Sequence, residues 1–238
     1  RSTLQVCALL VPAVAFAQSV EVERCDTPVY AGTLVLATGE LIPPGAKSFP
    51  EANTQVIYNN TCSSGFFFGS GDTIIIDEGR VPSYTSPAPA AGVRNAYFVN
   101  GFQVAYCTRE VDVSFGGPGA SMNVYLWEDY DDCADSASAG TPTASITLSG
   151  LPASDALETL SCYVVDIDLT GSGFEFCLLG DADGAFDDDA TLDGFGYGLQ
   201  MTNVTATGSA GPVIAGDPAL CAVGDGTFYQ NPGAAEAT

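Results

Sequence analysis

Thirteen residues, 181–193 (DADGAFDDDATLD), carry six carboxylates: Asp181, Asp183, Asp187, Asp188, Asp189 and Asp193. Carboxylates this close repel one another, so a folded loop holding them is either fully solvated or neutralised by a cation. Hard divalent cations, Ca²⁺ above all, are bound by oxygen ligands on such loops. An EF-hand loop places oxygen ligands at positions 1, 3, 5, 7 and 9, glycine at 6 and glutamate at 12. Here position 5 is Ala185, position 12 is Leu192, and glycine stands at position 4 as Gly184. The run is therefore not an EF-hand. It reads as a calcium loop between strands, with Asp181, Asp183, Asp187 and Asp189 as metal ligands and a backbone carbonyl completing the shell. A solvated acidic turn is the competing reading, since Asp also collects in turns for local hydrogen bonding. A second acidic group, Glu128, Asp129, Asp131, Asp132 and Asp135, surrounds Cys133 and offers a further cation loop or another solvated turn.

Trp127 is the only tryptophan. If Val124 and Leu126 face a core, strand alternation turns Trp127 and Tyr125 outward. Aromatic rings beside carboxylates suit carbohydrate, because rings stack on sugar faces while carboxylates accept hydroxyl hydrogen bonds. Trp127 and Tyr125 are thus the candidate carbohydrate-binding residues, with a core role for the tryptophan as the plainer alternative. Paired acids also run glycoside hydrolysis. In a chain this acidic some pair always meets that spacing, so no catalytic residue is assigned.

Composition narrows the classes. Six basic residues stand against twenty-nine acidic ones, for a net charge of −23. Such a surface repels nucleic acid, whose phosphates need Lys and Arg, and it repels anionic membranes. There is no histidine. That removes the commonest general base and every imidazole metal site. Eight widely spaced cysteines contain no CxxC pair, which argues against zinc knuckles and for disulfides in an exported chain. Residues 4–17 (LQVCALLVPAVAFA) form an apolar run ending in an A-x-A-like cleavage site, which reads as a signal-peptide remnant. The run is too short for a confident membrane span. Cleavage after Ala17 leaves seven cysteines, and the odd number fits a chain truncated at its C-terminal side.

The elements that must position these groups are strands. Residues 33–36, 54–58, 97–108, 110–115, 121–128, 144–148, 162–169, 174–179 and 195–201 are β-rich runs separated by turn chemistry. Residues 65–69 (GFFFG) and 73–77 (TIIID) read as a paired unit around Ser70 and Gly71. Residues 97–108 read as one strand with a bulge at Gly101. Residues 110–115 and 121–128 read as a hairpin across Gly116–Gly119. In 162–169, Val165, Ile167 and Leu169 alternate with Asp166 and Asp168, the pattern of a sheet with one wet face. The one helix candidate is 153–160. Residues 83–91, rich in Pro and Ala, cross the surface and mark a sub-boundary near 83–92. The expected architecture is all-β: an antiparallel β-sandwich, jelly-roll-like, with residues 18–238 as a single domain.

Residues 95–108 (NAYFVNGFQVAYCT), 111–129 (VDVSFGGPGASMNVYLWED), 192–201 (LDGFGYGLQM) and 211–218 (GPVIAGDP) resemble uncharacterised secreted bacterial β-sandwich proteins associated with cell-surface anchoring or adhesion. The resemblance covers roughly the last 60% of the chain and transfers no functional residue. It implies an extracellular or cell-surface, non-catalytic role in adhesion or matrix. The expected function is a secreted, calcium-associated, disulfide-linked structural or adhesive module with glycan or matrix partners. A carbohydrate-binding module, a self-assembling filament subunit and a carboxylate glycosidase are the alternatives.

Overall fold

The structure is a computed structural model. It describes residues 21–25, 28–46, 65–69, 74–80, 96–128, 130, 140–156, 159–179, 194–204, 210–215 and 236–237. Among them run fourteen strands. They are β1 (Glu21–Cys25), β2 (Val29–Val35), β3 (Glu40–Ile42), β4 (Gly65–Gly69), β5 (Ile75–Arg80), β6 (Ala96–Val99) and β7 (Gly101–Thr108), then β8 (Ala120–Trp127), β9 (Ala144–Leu151), β10 (Ser161–Asp168), β11 (Phe176–Leu179), β12 (Gly194–Thr202), β13 (Ala210–Ala215) and β14 (Glu236–Ala237).

Two sheets and a ribbon result. One sheet has the order β1-β4-β13-β7-β10-β2-β3, the other β14-β5-β12-β8-β9, and β6 pairs with β11 alone. Strand pairings are antiparallel except β2 with β10, which is parallel. The expected all-β sandwich is thus observed. The jelly-roll version depends on connections through residues outside the described set, as do the sub-boundary at 83–92 and the leader-like residues 1–17.

Period-2 alternation builds the core between the sheets. Met122, Val124 and Leu126 of β8, Ile146 and Leu148 of β9, and Leu199 and Met201 of β12 meet Val104 and Tyr106 of β7 and Val165 and Ile167 of β10. Each fully buried aliphatic side chain contributes about 1.5–3 kcal/mol. The Tyr106 ring comes with a polar tip, so its hydroxyl donates to the Pro152 carbonyl at 2.6 Å.

Several local expectations are corrected. Residues 65–69 and 73–77 do not pair with each other. β4 lies between β1 and β13, while β5 lies along β12 in the other sheet. Residues 97–108 are two strands that part at Asn100. β6 leaves to pair with β11, and the Asn100 carbonyl accepts from the Leu169 amide at 2.9 Å where the paths separate. Residues 110–115 form no hairpin strand: Val111 makes only a single bridge to Ser154, and Val113–Phe115 is a 3-10 turn. Asp112 caps that turn, its Oδ1 accepting from the Ser114 amide at 2.8 Å and the Ser114 hydroxyl at 2.6 Å. A short acceptor at this position outcompetes the ladder for the backbone. Gly117 closes the turn, where a Cβ would meet the Val111 carbonyl oxygen at 2.0 Å. The helix candidate 153–160 is not helical where described: Ser154 donates its amide to the Glu110 carbonyl instead.

Candidate functional site

The acidic run is framed by β11 and β12, as expected of a strand connection. Asp181, Asp183, Asp187 and Asp189 themselves lie outside the described residues, as do Asp129 and residues 131–135 of the second acidic group. Among the described residues no group of three or more Asp, Glu, Cys or His has the grouping of a metal site.

The aromatic pair falls on the outer face of the β5-β12-β8-β9 region. Alternation along β8 behaves as expected, with Val124 and Leu126 in the core and Tyr125 and Trp127 opposite. The exposure expected of Trp127 is not found: only 5% of it reaches solvent. Ile76, Tyr130 and Ile74 enclose it, and its Nε1 donates to the Gly140 carbonyl at 3.2 Å. Two glycines of β12 make room for this. A Cβ at Gly198 would stand 3.1 Å from the Trp127 ring, and one at Gly196 would stand 2.4 Å from Tyr130. Trp127 therefore supports a small second core and offers no stacking face.

What remains open on this face is a neutral polar strip beside Trp127. Tyr125 is half-buried, with its ring centroid 6.2 Å from that of Trp127. Its hydroxyl donates to Gln200 Oε1 at 2.9 Å. Asn123 Nδ2 reaches the same Gln200 oxygen at 3.2 Å, and Asn123 Oδ1 accepts from the Thr147 hydroxyl at 2.9 Å. β9, β8 and β12 thus each contribute to a connected row of amides and hydroxyls. Asn123 and Gln200 meet because the ladder sets them directly opposite; nothing local in the sequence pairs positions 77 residues apart.

The outer face of the larger sheet carries the second polar group. Asp166 and Asp168 were expected on a wet face, yet both are buried. Asp166 is satisfied by two long-range donors, the Tyr30 hydroxyl at 2.6 Å and Gln103 Nε2 at 2.8 Å. Desolvation, reinforced by the Asp166 hydrogen bond, raises the Tyr30 pKa. Asp168 Oδ1 accepts from the Thr170 amide at 3.0 Å. Beyond it, Glu175 accepts from the Gly171 and Gly173 amides, at 2.6 and 3.0 Å. Hydrogen bonds from its own amide and from Gly171 hold its pKa below the ordinary carboxylate value. These carboxylates close turns and a strand face. A third buried acid, Asp77, receives the Tyr197 hydroxyl across β5 and β12.

On the same outer face, Cys107 of β7 and Cys162 of β10 are directly opposite and form a disulfide. Cys107 is fully buried, with Leu160 and Val213 packed against it. Cys177 of β11 is an exposed free thiol. No protein-family model, curated protein or solved structure matches this chain.

Proposed function

We propose that this chain is a non-catalytic, extracellular or cell-surface β-sandwich with a structural or adhesive role. The carrying observation is the disulfide from the buried Cys107 to the partly buried Cys162, joining adjacent strands in the middle of the larger sheet. Stable disulfides belong to oxidising compartments. The charge of −23 supports the same setting, where a strongly acidic surface stays soluble. No helix of the described residues is long and apolar enough to cross a membrane. In this reading the 181–193 run binds Ca²⁺ through Asp181, Asp183, Asp187 and Asp189 and braces the connection from β11 to β12. The test uses protein secreted from an oxidising compartment, coated on beads and presented to cells and to extracellular matrix with calcium or EDTA. Calcium-dependent adhesion and a melting temperature that falls in EDTA are expected. Absence of calorimetric binding at millimolar Ca²⁺ would remove the metal from the proposal. Failure to bind any surface would remove the adhesive role.

A second reading, carbohydrate binding, draws support from the strip formed by Tyr125, Asn123, Gln200 and Thr147. Amides and hydroxyls in a row match the donors and acceptors of a neutral polyol. Trp127, being covered, takes no part. A glycan array with wild type and Tyr125→Ala decides it, since loss of every signal in the variant is the required result.

A further inference from the structure

We propose that β9 is a docking edge for an extended peptide segment with basic ends, which adds to the smaller sheet as a further strand. Among the described residues the two large sheets end in four outer strands, β1 and β3 in one, β14 and β9 in the other. An outer strand presents unpaired N–H and C=O groups, and proteins guard such edges with charge, proline or shortness. Three of the four are guarded. β1 holds Glu21, Glu23 and Arg24 within five residues, β3 has three residues beginning at Glu40, and β14 has two beginning at Glu236. The β6–β11 ribbon offers only four residues on each strand. β9 is different: its eight residues, ASITLSGL, contain no charge and no proline. Residues 136–154 carry no charged side chain, in a chain that is 15% charged. The neutrality thus belongs to this edge and not to the composition.

The edge is also preformed. Its ladder with β8 keeps one register from Ala144 to Ser149, and the single irregularity falls beyond, between Ala120 and Ser121 of β8. That straight stretch spans about 20 Å at the rise of an extended strand. Ile146 and Leu148 are 1% and 0% exposed and anchor the strand to the core. An edge held this way loses little conformational freedom when a strand docks. Between the anchors, Ser145, Thr147 and Ser149 are exposed on the opposite face.

These features specify the occupant. Open backbone groups select an extended chain with free amides. The exposed hydroxyl row favours Thr or Ser on the same face of the incoming strand, because hydroxyl pairs across strands are stabilising. Carboxylates stand at both ends of the edge. Glu128 is fixed beside the start of β9, its amide donating to Thr143 Oγ1 at 3.0 Å, and the exposed Asp155 lies beyond the other end. Lys or Arg at the two ends of a peptide meets both carboxylates whichever way the peptide runs. A second copy of this chain fits poorly, since it would set carboxylates against carboxylates and add another −23. The site is separate from the acidic run and requires neither calcium nor adhesion.

The experiment titrates the full chain into a fluorescein-labelled synthetic peptide of alternating Thr and Val flanked by lysines, read by anisotropy. One control peptide is N-methylated at alternate amides, and another replaces the lysines by glutamates. Saturable binding of the parent peptide is expected, weakened by salt, with both controls at least about tenfold weaker. Hydrogen exchange locates the peptide: amides within Ala144–Leu151 slow on binding, and those of β1, β3 and β14 do not. The double variant Ser145→Lys, Ser149→Lys charges the edge and should lose the peptide, while an unchanged cooperative melt shows that it folds. No binding at millimolar peptide, equal binding of the N-methylated control, or protection confined to another edge each overturns the proposal. So does protection of β9 that grows with protein concentration before peptide is added, which would assign the edge to a second copy. Adhesion is measured separately on beads, so its failure and the failure of strand capture are read independently.

Discussion

Removing the Cys107–Cys162 cross-link tests the feature on which the proposed setting rests. The two cysteines are 55 residues apart. Closing a loop of that length removes chain entropy from the unfolded state worth about 4 kcal/mol at 25 °C. The Cys107→Ala, Cys162→Ala double variant also vacates sulfur volume against Leu160 and Val213, adding about 1 kcal/mol. At this chain length about 2–4 °C of melting temperature accompanies each kcal/mol, so a fall of roughly 10–20 °C is expected. Equilibrium urea unfolding of the secreted wild type and the double variant gives the free energy directly. The denaturant slope should be steeper in the variant, because its unfolded chain expands further and exposes more surface. A loss below about 1 kcal/mol with an unchanged slope would refute the reasoning. It would mean the cross-link does not constrain the unfolded chain.

Three further outcomes are expected. Fluorescence of the single tryptophan should be blue-shifted and poorly quenched by acrylamide, and Gly196→Ala should redden it while costing about 1–3 kcal/mol by overpacking against Tyr130; emission typical of exposed indole in wild type would contradict the burial of Trp127. Tyr30→Phe strips Asp166 Oδ2 of its donor and should cost about 1–3 kcal/mol, toward the low end because the Tyr30 ring is partly exposed; a neutral result in urea melts would show that solvent replaces the hydroxyl. Burial raises the pKa of Tyr106 and of Tyr30 above the ordinary 10.0, so above pH 10 the native state holds protons the unfolded state has lost. Stability should then be complete below pH 10 and fall as pH rises through the native values, and a flat profile from pH 9 to 11 would count against both assignments.

The strands that read most clearly in the sequence are those with one apolar face turned to the core. Residues 121–128, 144–148, 162–169 and 195–201 all became strands because alternation needs only one buried face to be legible. Residues 110–115 show the limit. Val111, Val113 and Phe115 alternate as well as any strand, but the Asp112 cap and the close approach at Gly117 turn the chain, and alternation carries no information about a competing side-chain acceptor. The Asp166 and Asp168 positions fail for a related reason. Alternating Asp implies solvent unless distant donors arrive, and Tyr30 lies 136 residues away in sequence.

The candidate sites divide in the same way. Parity along β8 put Tyr125 and Trp127 on the face opposite the core, and that follows from the two-residue repeat of any strand. Whether that face is open depends on Tyr130, Ile76 and the glycines of β12, which reach Trp127 only after the sheet has assembled. The sequence by itself determined the all-β class, the acidity and the absence of histidine chemistry, because composition and short-range periodicity are local properties. Only the tertiary structure decided that Cys107 faces Cys162 and that the tryptophan is covered. Each of these depends on which strands become neighbours, and strand pairing is a long-range choice that no local pattern encodes.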